Sequence, residues 1–461
     1  MMKYRNEKDV LGSVRLPADA YYGSETMRAY NNFQISGIKV AKELIYAYVI
    51  VKRAAASANM DIGKLDSRKG RAIIKACDIV LSGKLDGSFV LDVFQAGAGT
   101  SINMNVNEVI ANKAIEILGG RKGDYRIVHP NDDVNMSQST NDTMPTAMRI
   151  AIHKEINNSL LAEVDELIAT IDKKSKEFKS IVKLGRTHLQ DAVPILLGEE
   201  FSSYAYAARS ARAYIKEADE KLLALPIGGT AVGTGMNAGN KYRKAVIKEI
   251  RKLTKENFSL FSSPFGPMSN KIDELAVSAS LRDCATALNK FANDLRLLNS
   301  GPRGGIDEIK LPAVQPGSSI MPGKINPSMA EMMNMVCFQV IGNDLAVNEA
   351  ANAGQLELNV YMPIIAFEIL FSIKILSNGM RAFRERCVKG ITADEKRIKQ
   401  NLENDLSIAT ALTPYIGYAK AADIARKAFL QNKTVMQVCL EMKIMDRKRL
   451  QKILDPKNAL G

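Results

Sequence analysis

The chain has 461 residues, 63 Lys and Arg against 50 Asp and Glu, and so a formal charge of +13. With 46% hydrophobic and 25% charged residues it has the balance of a globular protein, which excludes a collagen-like rod or a disordered tail. At roughly 100–200 residues per domain the length suggests two to four domains with sizeable cores. No uninterrupted apolar run reaches the ~18–20 residues that span a bilayer. The opening MMKYRNEKDVLGS lacks the apolar core and cleavage site of a signal peptide. The five cysteines (Cys77, Cys284, Cys337, Cys387, Cys439) are far apart and form no CxxC pair. They read as reduced thiols in a cytoplasmic chain, with neither a disulfide framework nor a zinc site. The basic residues are scattered among acids, which suits a solvated surface or a field that draws in small anions. The lack of Trp and of any recognisable binding module argues against nucleic acid.

The dominant period along the chain is helical. Polar, Gly-rich loops are expected at 96–105 and 129–142. A long helix follows from about Pro145 to Lys179, with Ile152, Ile156, Leu160, Val164, Leu167 and Ile171 as its apolar stripe and Pro145 in its first turn. Two more loops are expected at 185–194 and 228–239. Val277, Leu281, Cys284, Leu288, Phe291, Leu295 and Leu298 then form a heptad seam, which packs a long helix against nearly parallel neighbours. A Gly- and Pro-rich loop at 301–327 leads to a helix through Met329, Met333, Val336 and Val340, and another through Ile364, Phe367, Leu370 and Ile373. Shorter helical pieces after about Gly390 suit a small terminal domain. The expected division is 1–140, mostly helical; 141–393, a long-helix bundle; and 394–461, a small helical domain.

Three histidines are present: His129, His153 and His188. His153 lies inside the long helix beside its apolar stripe and reads as structural or exposed. His188 sits in Gly185-Arg186-Thr187-His188-Leu189-Gln190-Asp191, a loop dense in hydrogen-bonding groups, where a functional and a structural role are both open. No HExxH spacing points to a metal. Gly233-x-Gly235-x-x-Ala238 superficially matches a dinucleotide fingerprint, but no buried strand precedes it and no βαβ unit surrounds it, so it reads as a turn-rich loop. The most informative stretch is Gly317-Ser318-Ser319-Ile320-Met321-Pro322-Gly323-Lys324-Ile325-Asn326-Pro327. A linker has no use for an ammonium and an amide between Met-Pro-Gly and Pro. A loop that folds over an anion does: Lys324 supplies charge, Asn326 a donor, and a serine hydroxyl faces the substrate. A serine near a cation and backbone N–H groups can have its alkoxide stabilised. With no Ser-His-Asp or GxSxG arrangement around it, proton abstraction fits better than acyl transfer.

Gly317–Pro327 resembles the signature loop of the aspartase/fumarase superfamily. Gly97-Ala98-Gly99-Thr100-Ser101-Ile102-Asn103-Met104-Asn105, Gln138-Ser139-Thr140-Asn141-Asp142 and Gly185-Arg186-Thr187-His188 agree with it in order and spacing. The likeness runs from Tyr21-Tyr22-Gly23-Ser24-Glu25-Thr26 to Gly417-Tyr418. It implies an all-α fold in three domains around a central long helix bundle. It also implies homotetramers whose active sites draw on three subunits. Ala96–Ser101, Ser139-Thr140-Asn141 and Ala353–Asn359 resemble the ammonia-lyase branch, while Arg126, His129, Asn131 and Asp132 match the fumarase pattern for a second dicarboxylate site.

On that resemblance the reaction is reversible elimination of ammonia from L-aspartate to give fumarate through an aci-carboxylate. Thr100, Ser139, Thr140 and the backbone at Ser319 would hold the β-carboxylate, and Lys324 and Asn326 the α-carboxylate. Asn141, Thr187 and His188 would surround the amino group, with Ser318 as general base and His188 also as a catalytic group. The scheme requires no metal or organic cofactor, no nucleic acid and no membrane. Its alternatives are a class II fumarate hydratase and a non-catalytic scaffold of the same fold.

Overall fold

The computed structural model describes residues 3–459. Its backbone packs into two compact units, one made of Met1–Leu161, Ala213–Asp283 and Gln339–Ile375, the other of Ala162–Arg212, Cys284–Phe338 and Leu376–Gly461.

The first unit is mostly helical, with a short antiparallel hairpin, Tyr4–Asp9 with Gly12–Pro17, at its start. Helix Lys42–Asp61 buries Leu44, Ile45, Tyr48, Val49, Val51 and Ala55. It is apolar on nearly every side, as a helix enclosed by others must be. Helix Thr100–Ile117 is as deeply enclosed, yet it buries Asn103, Asn105, Asn107, Glu108 and Asn112. Such side chains enter a core only with partners. Asn103 accepts from Lys52, Asn112 donates to Tyr21 O, and Glu108 accepts the N–H groups of Gly23, Glu25 and Thr26.

The expected helix from Pro145 begins earlier, at Thr140, and continues to Glu177 through a wider turn at Ile156–Leu160. Ser139 and Asp142 form a capping box at its start, and that local chemistry overrides the preference of Pro145 for a first turn. All six residues of its predicted stripe are buried. His153 is structural, its Nδ1 2.8 Å from Asp219. Burial alone would lower its pKa, but the carboxylates of Asp219 and Glu256 raise it on balance.

The second unit has an aromatic core in which Phe201 and Phe291 meet Phe178, Tyr204 and Phe383 edge-on or tilted. Its C-terminal stretch closes an apolar cluster of Leu412, Ile424, Ala428, Val438, Cys439 and Leu450. The seam on helix Ile272–Leu298 is buried at all seven predicted positions. On helix Met362–Arg386, Leu370 and Ile373 of the expected line are buried while Ile364 and Phe367 are half-buried, and Met362, Ile365, Ala366, Ile369 and Leu376 are buried as well. The segment Met362–Gly390 is long and apolar enough to cross a membrane by composition, and 56% of its most apolar window is buried within the structure. The five cysteines are buried and form no disulfide among the described residues.

Candidate active site

Four predicted site residues stand on the first unit, at the N-termini of two helices. Thr100 opens helix Thr100–Ile117 directly after a tight turn in which Ala98 and Gly99 take left-handed φ of 58° and 77°. That segment, expected as a loop to Asn105, is therefore helical from Thr100 onward. A Cβ on Gly99 would lie 2.8 Å from Met144 Sδ, so only glycine lets the turn lie against helix Thr140–Glu155. On the latter, Ser139 is the N-cap, with Thr140 and Asn141 as the first two helical residues. Ser139 Oγ accepts from Asn141 N–H at 3.2 Å, and Ser139 N–H donates to Asp142 at 2.9 Å. Asn141 Nδ2 donates to Ala231 O at 2.8 Å. Both helix starts present N–H groups and positive partial charge, a setting that favours anions.

Beneath these turns lie groups that the sequence reading missed. Lys52 is fully buried and donates to Asn103 and Asn135, both at 2.7 Å, so one ammonium ties the Thr100 helix to the segment leading into Ser139. Burial pushes its pKa down to about 7, against the pull of Asp142. Asp142 accepts Gly228 N–H and Thr230 N–H at 2.9 Å each, and burial raises its pKa to about 6. Thr230 takes a φ of 56°, rare for a β-branched residue, and its buried hydroxyl has no partner among the described residues. A cavity of about 550 Å³ is lined by Ser139, Thr230, Ala231, Asn131 and Asp132. A separate, open one of about 810 Å³ is lined by Arg126, His129, Asp132 and Lys69.

The other predicted residues stand on the second unit. The segment at 185–194, expected as a loop, is a hairpin of strands Val182–Thr187 and Gln190–Leu196 with His188 and Leu189 as its two-residue turn. Thr187 and His188 are exposed. Arg186 forks onto Glu308 at 2.8 and 3.0 Å. Burial alone would raise the Glu308 carboxyl, but Arg186, Lys183 and Asn401 hold it below the usual range.

The loop with Ser318 is pinned at its ends: Gly317 N–H donates to Lys324 O at 2.8 Å, and Asn326 Nδ2 to Gly317 O at 2.9 Å. Ser318 Oγ accepts the N–H groups of Ile320 and Met321 at 3.2 and 2.9 Å. Two donors converging on one hydroxyl oxygen favour negative charge there. Ser319 and Lys324 are exposed, and the Lys324 ammonium forms no ion pair among the described residues.

Hydroxyls at helix N-termini and a pinned, polar serine loop on a helical chain are the equipment of an enzyme acting on small anions. Comparison with known proteins defines that class. The family model described as lyase matches residues 12–342, and the model of the fumarase C C-terminus matches 408–460. The chain belongs to the aspartase/fumarase superfamily of lyases. It is 48% identical over 454 residues to an aspartate ammonia-lyase of Bacillus subtilis, covering 98% of this chain and 95% of the relative. It is 43% identical over 459 residues to the class II fumarate hydratase of the same organism, covering 100% and 99%. The solved structure of a fumarate lyase/delta-crystallin protein from Brucella melitensis superposes with a TM-score of 0.94 at 46% identity, covering 98% and 99%.

Proposed function

We propose that this lyase eliminates ammonia reversibly from L-aspartate to give fumarate. The observation that supports this reading is the Ser139-Thr140-Asn141 triplet on a helix N-terminus, two hydroxyls and an amide where the helix favours anions. The proton to be removed lies next to the β-carboxylate and is only weakly acidic, so charge that develops on that carboxylate must meet donors already in place. Thr100, Ser139, Thr140 and the backbone at Ser319 are those donors. Asn141, Thr187 and His188 surround the amino group. Lys324 and Asn326 hold the α-carboxylate, and to do so Asn326 exchanges its bond to Gly317 O for one to substrate. Ser318 takes the proton, and the two N–H groups on its Oγ support the alkoxide form. Closure of the loop excludes water and strengthens each contact.

In this reading four copies assemble around the long helices, and each site draws on three of them. An exposed apolar row, Met335, Phe338, Ile341 and Leu345 on helix Ser328–Asn352, supports such an assembly. The division into 1–140, 141–393 and 394–461 and a cytoplasmic location belong to the same proposal. A second reading, hydration of fumarate to L-malate, is favoured by the open cavity at Arg126 and His129 and by the fumarate hydratase relatives. Fumarate consumption that depends on ammonium separates the two.

A further inference from the structure

We infer that Glu308 is a positioning residue for His188, holding in place a hairpin turn whose backbone is strained. The inference rests on the proposed role of His188 and goes beyond it to what fixes the imidazole in space.

The turn is unusual in composition. His188 and Leu189 both take left-handed φ, 54° and 61°. Two-residue hairpin turns of this kind are normally built from Asn-Gly or Asp-Gly, because a Cβ is disfavoured at both positions. Leucine has no polar group to compensate. Such backbone persists only where its surroundings over-determine it, and it concentrates at working sites. The surroundings here are not above the turn, since Leu189 is 71% exposed and His188 and Gln190 are exposed as well. They lie behind it.

Lys183 and Arg186 are three apart on one strand, so regular alternation would aim them at opposite faces. The pairing register shifts between Leu184 and Arg186, and this bulge brings both onto the same carboxylate. Gly185 makes the bulge possible: a Cβ there would stand 2.4 Å from Val193 O. Glu308 is itself fully buried and meets Arg186 twice, Lys183 at 3.2 Å and Asn401 at 3.0 Å. Its backbone is fixed on both sides, N–H to Leu298 O and O from Asp394 N–H, each at 2.9 Å. A rigid carboxylate thus grips the strand two residues before His188. A buried charge pair can also be merely structural, and the test must separate the two roles.

Glu308→Gln keeps the shape and removes the charge. With melting temperature followed in parallel, kcat for L-aspartate should fall about 10²-fold, as for a group displaced by an ångström, with little change in KM. Leu189→Asn places a residue that tolerates left-handed φ in the turn. Alone it should change little; combined with Glu308→Gln it should restore about tenfold of the lost kcat, because a relaxed turn needs its clamp less. A folded Glu308→Gln protein with full kcat overturns the proposal. So does a loss that Leu189→Asn leaves untouched. If Glu308→Gln does not fold, Arg186→Lys retains the charge without the fork and should show the same loss and the same rescue; unimpaired kcat in it overturns the proposal equally. Wild-type protein that turns over neither L-aspartate nor L-malate would instead sink the reading of the site, and this inference with it.

Discussion

Two side chains of one loop are proposed to have different duties. Ser318 is proposed to move the proton and Lys324 to hold the α-carboxylate. Ser318→Ala removes one hydroxyl from a loop whose ends remain pinned by Gly317, Lys324 and Asn326. Turnover should fall at least ~10²-fold, the usual contribution of a general base. Binding of the non-reacting dicarboxylate succinate, measured by calorimetry, should persist in Ser318→Ala and be lost in Lys324→Met. Near-normal turnover of Ser318→Ala would reassign the base. That Gly317–Pro327 forms a loop was legible in the sequence, where Gly317, Pro322, Gly323 and Pro327 punctuate it. Lys52 and Glu308 were not, because their partners stand far off along the chain: Asn103 is 51 residues from Lys52, and Arg186 is 122 from Glu308. The only hint was that Lys52, with Arg53 next to it, interrupts the apolar run of helix Lys42–Asp61.

At the scale of elements, the helices were read well where their period was unambiguous. The seam from Val277 to Leu298 is interrupted by polar residues, so its phase is fixed. Helix Met362–Arg386 is apolar on several faces at once, and for that reason only Leu370 and Ile373 of its four expected positions are fully buried. The hairpin at His188 was missed because its turn lacks Asn-Gly and because Pro194 argues against a strand. Lys52 joins two of the elements that carry the site, and its titration gives a test. The unfolded chain's lysine titrates near ~10.4, whereas the folded one is pushed down to about 7. Between those values the unfolded state binds a proton that the folded state has released, so this group makes stability rise with pH across the window. Denaturant unfolding at pH 7.5 and at pH 9.5, both within the ~7–10.4 window, should show wild type gaining stability relative to Lys52→Met. An identical pH dependence in the two proteins would mean that Lys52 stays charged in its buried site.

At the scale of the whole molecule, the proposed site draws Thr100, Ser139–Asn141, His188 and Ser318 from different copies of the chain. A site of that kind suits an assembly in which copies complete one another. Light scattering should report about four chains per particle, and Leu345→Arg, a charge in the exposed apolar row, should shift that mass downward and lower activity with it. A fully active monomer would contradict the shared site. Membership of the superfamily follows from likeness along the whole chain, whereas the choice of reaction rests on a few pocket residues. The most direct test of that choice is fumarate absorbance followed over purified protein with and without ammonium. Fumarate should be lost only when ammonium is present, with L-aspartate formed. Loss of fumarate in ammonium-free buffer, with L-malate appearing, would contradict that choice.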